Sequence, residues 1–251
     1  MKKLIEDIVI AFMVLTRIPL NKFLQNVEEV EISRGQWAYP LVGLFVGLII
    51  FLLIQTLEFL GLPKNPAILI ALSSGIFLTG ALHDDGLADF FDSLGGQDYD
   101  SRQKILRDSR VGSFGVLALI SSFLIRFALI SELTTDFAIL VGLLASSSIS
   151  RYSILIIFNQ SDISKESGLT KELKILSPST LIFCGLFSII WLLPAGIIAF
   201  TLALFLGLLL VYFFTKIIVP FNRGLSGDLL GLSVQLFEIL ILSIICIAFL
   251  K

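Results

Sequence analysis

The stretch Ala81-Leu82-His83-Asp84-Asp85-Gly86-Leu87-Ala88-Asp89-Phe90-Phe91-Asp92 carries four carboxylates within nine residues, directly behind an apolar run. If the helix of that run continues through the motif at about 100° per residue, Asp85, Asp89 and Asp92 fall at about 0°, 40° and −20° around its axis. They then share one stripe, with Asp84 and His83 turned away from it. Three like charges on one stripe repel each other, a cost that a bound cation removes. Hard oxygen donors with no thiolate among them point to Mg²⁺ or Mn²⁺, ions that keep waters and phosphate oxygens in their remaining positions. The plainer alternative, a solvated acidic loop at a helix end, leaves both the helical spacing and the small residues between the charges unexplained.

Two more patches combine arginine, glycine and aspartate. In Ile105-Leu106-Arg107-Asp108-Ser109-Arg110-Val111-Gly112-Ser113-Phe114-Gly115, two arginines flank a fifth carboxylate and glycines open the next apolar run. Arginine forks pair with phosphate oxygens, and glycines at a helix N-terminus offer bare N–H groups to an anion. A juxtamembrane loop with ordinary basic residues accounts for this piece equally well. Asn222-Arg223-Gly224-Leu225-Ser226-Gly227-Asp228-Leu229-Leu230-Gly231 repeats the combination; a turn explains its glycines but not Asp228. Lys165-Glu166-Ser167-Gly168-Leu169 is a weaker fourth patch. His83 is the single histidine, as suited to hydrogen bonding an aspartate as to carrying a proton. Together these residues suit metal-assisted attack on a phosphate or diphosphate, where charge is neutralised and oxygens are held with little covalent chemistry from the protein.

The elements that position these residues are set by hydropathy. Of 251 residues 56% are hydrophobic and only 15% charged, and the mean hydropathy is +0.97. That excludes an ordinary water-soluble domain. The expectation is an all-α, polytopic membrane helix bundle forming one integral membrane domain over residues 1–251. A net charge of −2 gives no basic field for nucleic acid. Cys184 and Cys246 both lie in apolar runs and read as small core residues.

Seven spans are expected, at about 39–60, 66–82, 114–131, 137–158, 179–194, 196–218 and 231–250, with a break placed at Pro194-Ala195-Gly196. Residues 4–17, interrupted by Glu6 and Asp7, are too short and too charged for a clear span and form an interfacial or spanning N-terminal helix. Gly43 and Gly47, four apart, allow close helix packing. The segments 18–36, 83–113, 159–178 and 219–230 carry most of the loop lysines and arginines, so the positive-inside rule puts them, and every candidate motif, on the cytoplasmic side of the cell membrane. Arg126 and Arg151 lie within spans, where a charge needs a cavity or a carboxylate; Asp84 and Glu238 are the candidate partners.

These motifs, with Leu15-Thr16-Arg17-Ile18-Pro19 and Tyr39-Pro40-Leu41-Val42-Gly43, resemble the cobalamin synthase family over essentially the whole chain. The resemblance implies the last step in building the lower nucleotide loop of cobalamin. A hydroxyl of α-ribazole, or of its 5′-phosphate, attacks the cobinamide-side phosphorus of adenosylcobinamide-GDP and releases GMP, with Mg²⁺ required. It implies Asp85, Asp89 and Asp92 as metal ligands, with Asp84 as a further ligand or support. Arg107 and Arg110 hold phosphates or the leaving GMP, and Gly112 and Arg223 belong to the same phosphate-binding patches. Asp108 or Asp228 orients the attacking hydroxyl or binds a second metal, and His83 is a candidate base. Phe90-Phe91 and Ser93 depart from the family pattern, which has smaller residues and a glycine there. A CDP-alcohol phosphotransferase fits poorly, because one residue rather than two separates Gly86 from Ala88 and Asp89 follows where an arginine belongs. A prenyltransferase would need a second aspartate-rich motif. A cation-coupled transporter would place its carboxylates near mid-membrane on broken helices. Oligomeric state is open.

Overall fold

The computed structural model describes residues 2–24, 31–106, 110–163 and 168–249, and of Leu169 the backbone alone. Its helices are α1 (Lys2–Leu15), α2 (Tyr39–Phe59), α3 (Lys64–Thr79), α4 (Leu82–Ser93), α5 (Tyr99–Leu106), α6 (Ser113–Glu132), α7 (Asp136–Asn159), α8 (Pro178–Ile189), α9 (Gly196–Phe213), the short α10 (Val219–Phe221) and α11 (Gly227–Phe249). Among the described residues the only β pairing is an isolated bridge between Ile163 and Leu225. The all-α membrane bundle expected from the sequence is what forms.

Local sequence sets the helix starts. Thr135 accepts the Ala138 N–H at 3.1 Å and Ser177 the Thr180 N–H at 3.2 Å, so α7 and α8 each begin on a side-chain cap, with Pro178 in the first turn of α8. α7 is the central helix, packed against both α2 and α11. The α2–α7 contact is close because Gly43 and Gly47 lie against backbone: a Cβ at either would stand 2.1 Å from the Ser147 carbonyl oxygen or 2.4 Å from that of Leu143. The outer helices turn apolar side chains outward, as at Ile197, Phe205 and Leu208 of α9. Such a surface is at home in lipid.

Among the described residues, five helical runs are long and apolar enough to cross a membrane, or six if α3 and α4 together form one bent span. One of the five, Pro178–Phe221, has 44 residues, roughly twice what a single crossing needs. A 3-10 segment at Ile190–Ala195 interrupts it where the sequence places a break. α1, with 14 residues, is shorter than a span. It docks through Glu6 and Asp7, both paired with Arg34 at 3.3 and 2.8 Å, which accounts for two acids in an apolar run.

One expectation is corrected. The span before the acidic motif does not run on through it. α3 stops at Gly80 and α4 restarts at an angle of 88°. Gly80 and Ala81 both take left-handed backbone, with φ of 66° and 57°. Glycine adopts this without penalty, whereas alanine there costs about 1–2 kcal/mol. Arg17 braces the elbow: its N–H donates to the Leu78 carbonyl at 2.8 Å, and its side chain covers Gly80 so closely that a Cβ would meet Nε at 2.1 Å.

Candidate active site

α4 presents two faces. His83, Asp84, Gly86, Leu87 and Ala88 are buried, while Asp85 is exposed and Asp89 and Asp92 are half-buried. The helical spacing of the three stripe carboxylates is therefore realised, although on a helix of its own.

The buried face is held against α11 at a glycine crossing. A Cβ on Gly86 would stand 2.5 Å from the Asp228 carbonyl oxygen, and one on Gly231 would stand 3.2 Å from the Gly86 Cα. No side chain fits between the helices at this level. The consequence is positional: Asp228, in the first turn of α11, comes within electrostatic reach of Asp85 and Asp89. The Ser226 hydroxyl donates to its Oδ2 at 3.3 Å. The carboxylate that a turn left unexplained thus joins the acidic stripe.

Asp92 has a further task. Its Oδ2 accepts the Gly112 N–H at 2.7 Å and its Oδ1 the Gly115 N–H at 2.8 Å. The glycine-lined N-terminus of α6 does bind an anion, and that anion is the protein's own carboxylate. Both glycines are needed for the approach, since a Cβ at either would lie within 2.4 Å of an Asp92 oxygen. The cap was hidden from a sequence reading because its two halves are 20 residues apart. The available signal was a helix start with no capping side chain of its own at Gly112.

Asp84 points the other way, into a buried ion network. Its Oδ1 meets Arg126 at 3.1 Å, Arg126 also meets Glu238 Oε2 at 3.1 Å, and Glu238 Oε1 pairs with Arg151. Two cations and two anions balance, and each of the four residues is at most 8% exposed. A buried charge is tolerated only with such a partner. Asp84 is committed to Arg126 and not to the stripe.

Arg223, in left-handed backbone (φ 55°), lies with its guanidinium 4.1 Å over the Tyr99 ring, while Arg102 lies 3.9 Å over Phe221. These reciprocal cation–π contacts clamp α5 to the turn before α11. Stacking uses the face of the Arg223 guanidinium and leaves its N–H edge suited to a phosphate. Asp98 starts α5 through a capping box: its Oδ1 accepts the Ser101 N–H at 2.8 Å, and its own N–H donates to the Ser101 hydroxyl at 3.1 Å. The Ser101 N–H, donating to it, holds the Asp98 carboxyl below its ordinary range. Arg110 is exposed just before Gly112. Arg107 and Asp108, and Lys165 to Ser167 of the weaker patch, lie outside the described residues.

Between α1, α2, α4, α7 and α11 lies a cavity of about 320 Å³. Asp85, Ser226 and Asp228 contribute to its wall, as do His83 and Tyr39; Val14, Leu82, Ile154 and Leu230 give it an apolar body.

Among the described residues, no three Asp, Glu, His or Cys side chains converge closely enough to hold a metal by themselves. The donor set still fits Mg²⁺, which typically takes one or two carboxylates and completes its shell with water and substrate phosphate. Asp85 and Asp89, four residues apart on one helix face with Asp228 opposite, are hard oxygen donors in mutual repulsion. Asp84 is paired with Arg126, whereas Asp92 turns one lone pair of each oxygen to an amide while its charge still bears on Asp89.

An all-helical, multi-pass membrane protein with a carboxylate cluster beside a partly open cavity is the class that fold and site define. The chain belongs to the cobalamin-5-phosphate synthase family, which it matches over residues 7–246. It is 32% identical to a Mesorhizobium japonicum protein named adenosylcobinamide-GDP ribazoletransferase, covering 98% of this chain and 95% of that one. Two proteins of the same name, from Shewanella baltica and Shewanella frigidimarina, are each 34% identical, covering 94% and 92% of this chain and 92% and 90% of theirs. No solved structure matches the chain.

Proposed function

We propose that this protein joins adenosylcobinamide-GDP to α-ribazole, or to α-ribazole 5′-phosphate, with release of GMP, as the last step of cobalamin assembly. The observation that carries the reading is the Gly86–Gly231 crossing, which gathers Asp85, Asp89 and Asp228 beside the cavity. A ribose hydroxyl oxygen forms the new bond to the cobinamide-side phosphorus, the bond from that phosphorus to the bridging oxygen of the diphosphate breaks, and GMP leaves carrying the bridging oxygen. Asp228 orients the hydroxyl and takes its proton. Asp85 and Asp89 are the residues that hold Mg²⁺. When bound, the ion neutralises diphosphate charge and eases departure of GMP. Arg110 and Arg223, with Arg107 in the neighbouring segment, steady phosphate oxygens, while Asp108 is the candidate for holding a second metal or orienting the hydroxyl. Asp84 and Asp92 act at one remove, fixing α4 against α6 and α11.

The arginine- and lysine-rich loops support an orientation with the site facing the cytoplasm, in the cytoplasmic membrane. The test is GMP release by purified protein in detergent with both substrates and Mg²⁺, comparing wild type with Asp89→Asn. Wild type is expected to turn over and the variant to lose about a hundredfold, the scale of a disturbed metal site. Equal rates would make the stripe structural. Absence of GMP from folded wild type would refute the reaction and favour a transport role.

A further inference from the structure

Arg102 is a cation that neither the sequence motifs nor the acidic stripe uses. Its stem lies on Gly96, where a Cβ would stand 2.6 Å from the Arg102 Cγ, and its guanidinium lies 3.9 Å over the Phe221 ring. The reciprocal contact sets Arg223 4.1 Å over Tyr99, one helical turn before Arg102 on the same face of α5. Two guanidiniums are thereby fixed as neighbours. Among the described residues the ion pairs engage Arg34, Arg126, Arg151 and Lys174, and neither Arg102 nor Arg223 has a carboxylate in contact. Stacking uses their faces and leaves their N–H edges for an acceptor. Like charges held together repel, and an anion between them removes that cost.

The pair stands at the rim of the acidic site. Arg223 precedes Ser226 by three residues and Asp228, in the first turn of α11, by five. Its turn is braced, because the Gly224 N–H donates to the Val219 carbonyl at 3.0 Å and the Leu225 N–H to that of Asp162 at 2.8 Å. Gly96, under Arg102, follows Asp92 by four residues. Two cations also match the leaving group. Each phosphate of a diphosphate diester carries one negative charge. Once the bond to the bridging oxygen breaks, the departing nucleotide is a phosphate monoester with a charge of about −1.5 to −2.

Resting on the transfer reaction proposed above, we infer that Arg102 and Arg223 form a two-arginine clamp on the phosphate of the departing guanosine monophosphate, which makes Arg102 a further substrate-binding residue. One guanidinium meets the charge the donor brings, and the second meets the charge that develops as the bond breaks. Part of the effect of Arg102 therefore falls on kcat rather than on donor KM.

Calorimetric titration of the full-length protein in detergent with GMP, at fixed Mg²⁺, tests this. Saturable binding to wild type is expected, with about tenfold loss or more in Arg102→Gln, the scale of a charged hydrogen bond, and tighter binding in Arg102→Lys than in Arg102→Gln. Guanosine, which lacks the phosphate, should not distinguish Arg102→Gln from wild type. In turnover, Arg102→Gln should lose more in kcat than it gains in donor KM. A merely structural staple of α5 would lower the thermal midpoint in Arg102→Gln and Phe221→Leu and leave GMP affinity as in wild type; that result overturns the clamp. Absence of GMP binding to wild type overturns it too. So does displacement of GMP by phosphatidylglycerol added to the micelle, which would give the two arginines to a lipid headgroup. Turnover by Arg102→Gln with unaltered GMP affinity would remove the clamp and leave the reaction standing. Arg102-dependent GMP binding without turnover in wild type would refute the reaction and keep the nucleotide site.

Discussion

Replacing Gly86 with alanine adds one methyl group where α4 and α11 touch. The new Cβ would stand 2.5 Å from the Asp228 carbonyl oxygen and 3.0 Å from its Cα. Both neighbours are helix backbone and cannot rotate aside. To reach ordinary contact the helices must part by about 1 Å, and overpacking of this kind costs about 1–3 kcal/mol. The chemical effect should exceed the structural one, because the same 1 Å separates Asp228 from Asp85 and Asp89, and a misplacement of that size costs about a hundredfold in rate. Two readouts on one preparation are needed: the thermal midpoint in detergent, and the rate of GMP release over a Mg²⁺ series. Gly86→Ala is expected to keep its helical circular dichroism, lose a few degrees of stability and lose about two orders of magnitude in kcat. Wild-type turnover in a folded variant would refute the claim that this crossing sets the carboxylate geometry.

Two further substitutions separate structural carboxylates from reacting ones. Asp92→Ala removes the acceptor for two α6 amides and should destabilise by about 1–2 kcal/mol, as loss of a helix cap does, with less effect on rate than Asp89→Asn; a stability-neutral Asp92→Ala with a collapsed rate would instead make it a ligand. Arg126→Met strands Asp84 and half of Glu238 and should cost about 3–5 kcal/mol, read as loss of the monodisperse peak on size exclusion, with partial recovery when Asp84→Asn is added.

The parts of this molecule that were legible in the sequence are those where one local rule governs. Apolar runs marked the membrane helices, and the cost of charge in lipid made Asp84 and Glu238 the candidate partners of Arg126 and Arg151, while which pairs with which came only from the folded bundle. Helical spacing separated Asp84 and His83 from the stripe. The elbow was not legible, because Thr79-Gly80-Ala81 continues the apolar run and a left-handed alanine is not signalled by its type. Nor was the double role of α6's start: a glycine-lined N-terminus reads as a phosphate site until Asp92 is found occupying it. Long-range pairings such as Gly86 with Gly231 are properties of the assembled bundle, which no window of sequence contains.

The span of those pairings has a consequence for how the protein is made. Among the described residues, Arg151's acidic partner is Glu238, on the last helix, and the closest neighbour of Gly86 is Asp228 on that same helix. A chain emerging from the ribosome therefore carries an arginine in the bilayer without its acidic partner, and an acidic helix whose buried glycine face is uncovered, until α11 is inserted. Insertion of α11 supplies the counter-charge and assembles the site in one event. A chain cut short before Glu238 would be marked as incomplete by its own electrostatics, exposed to membrane quality control before it could bind substrate.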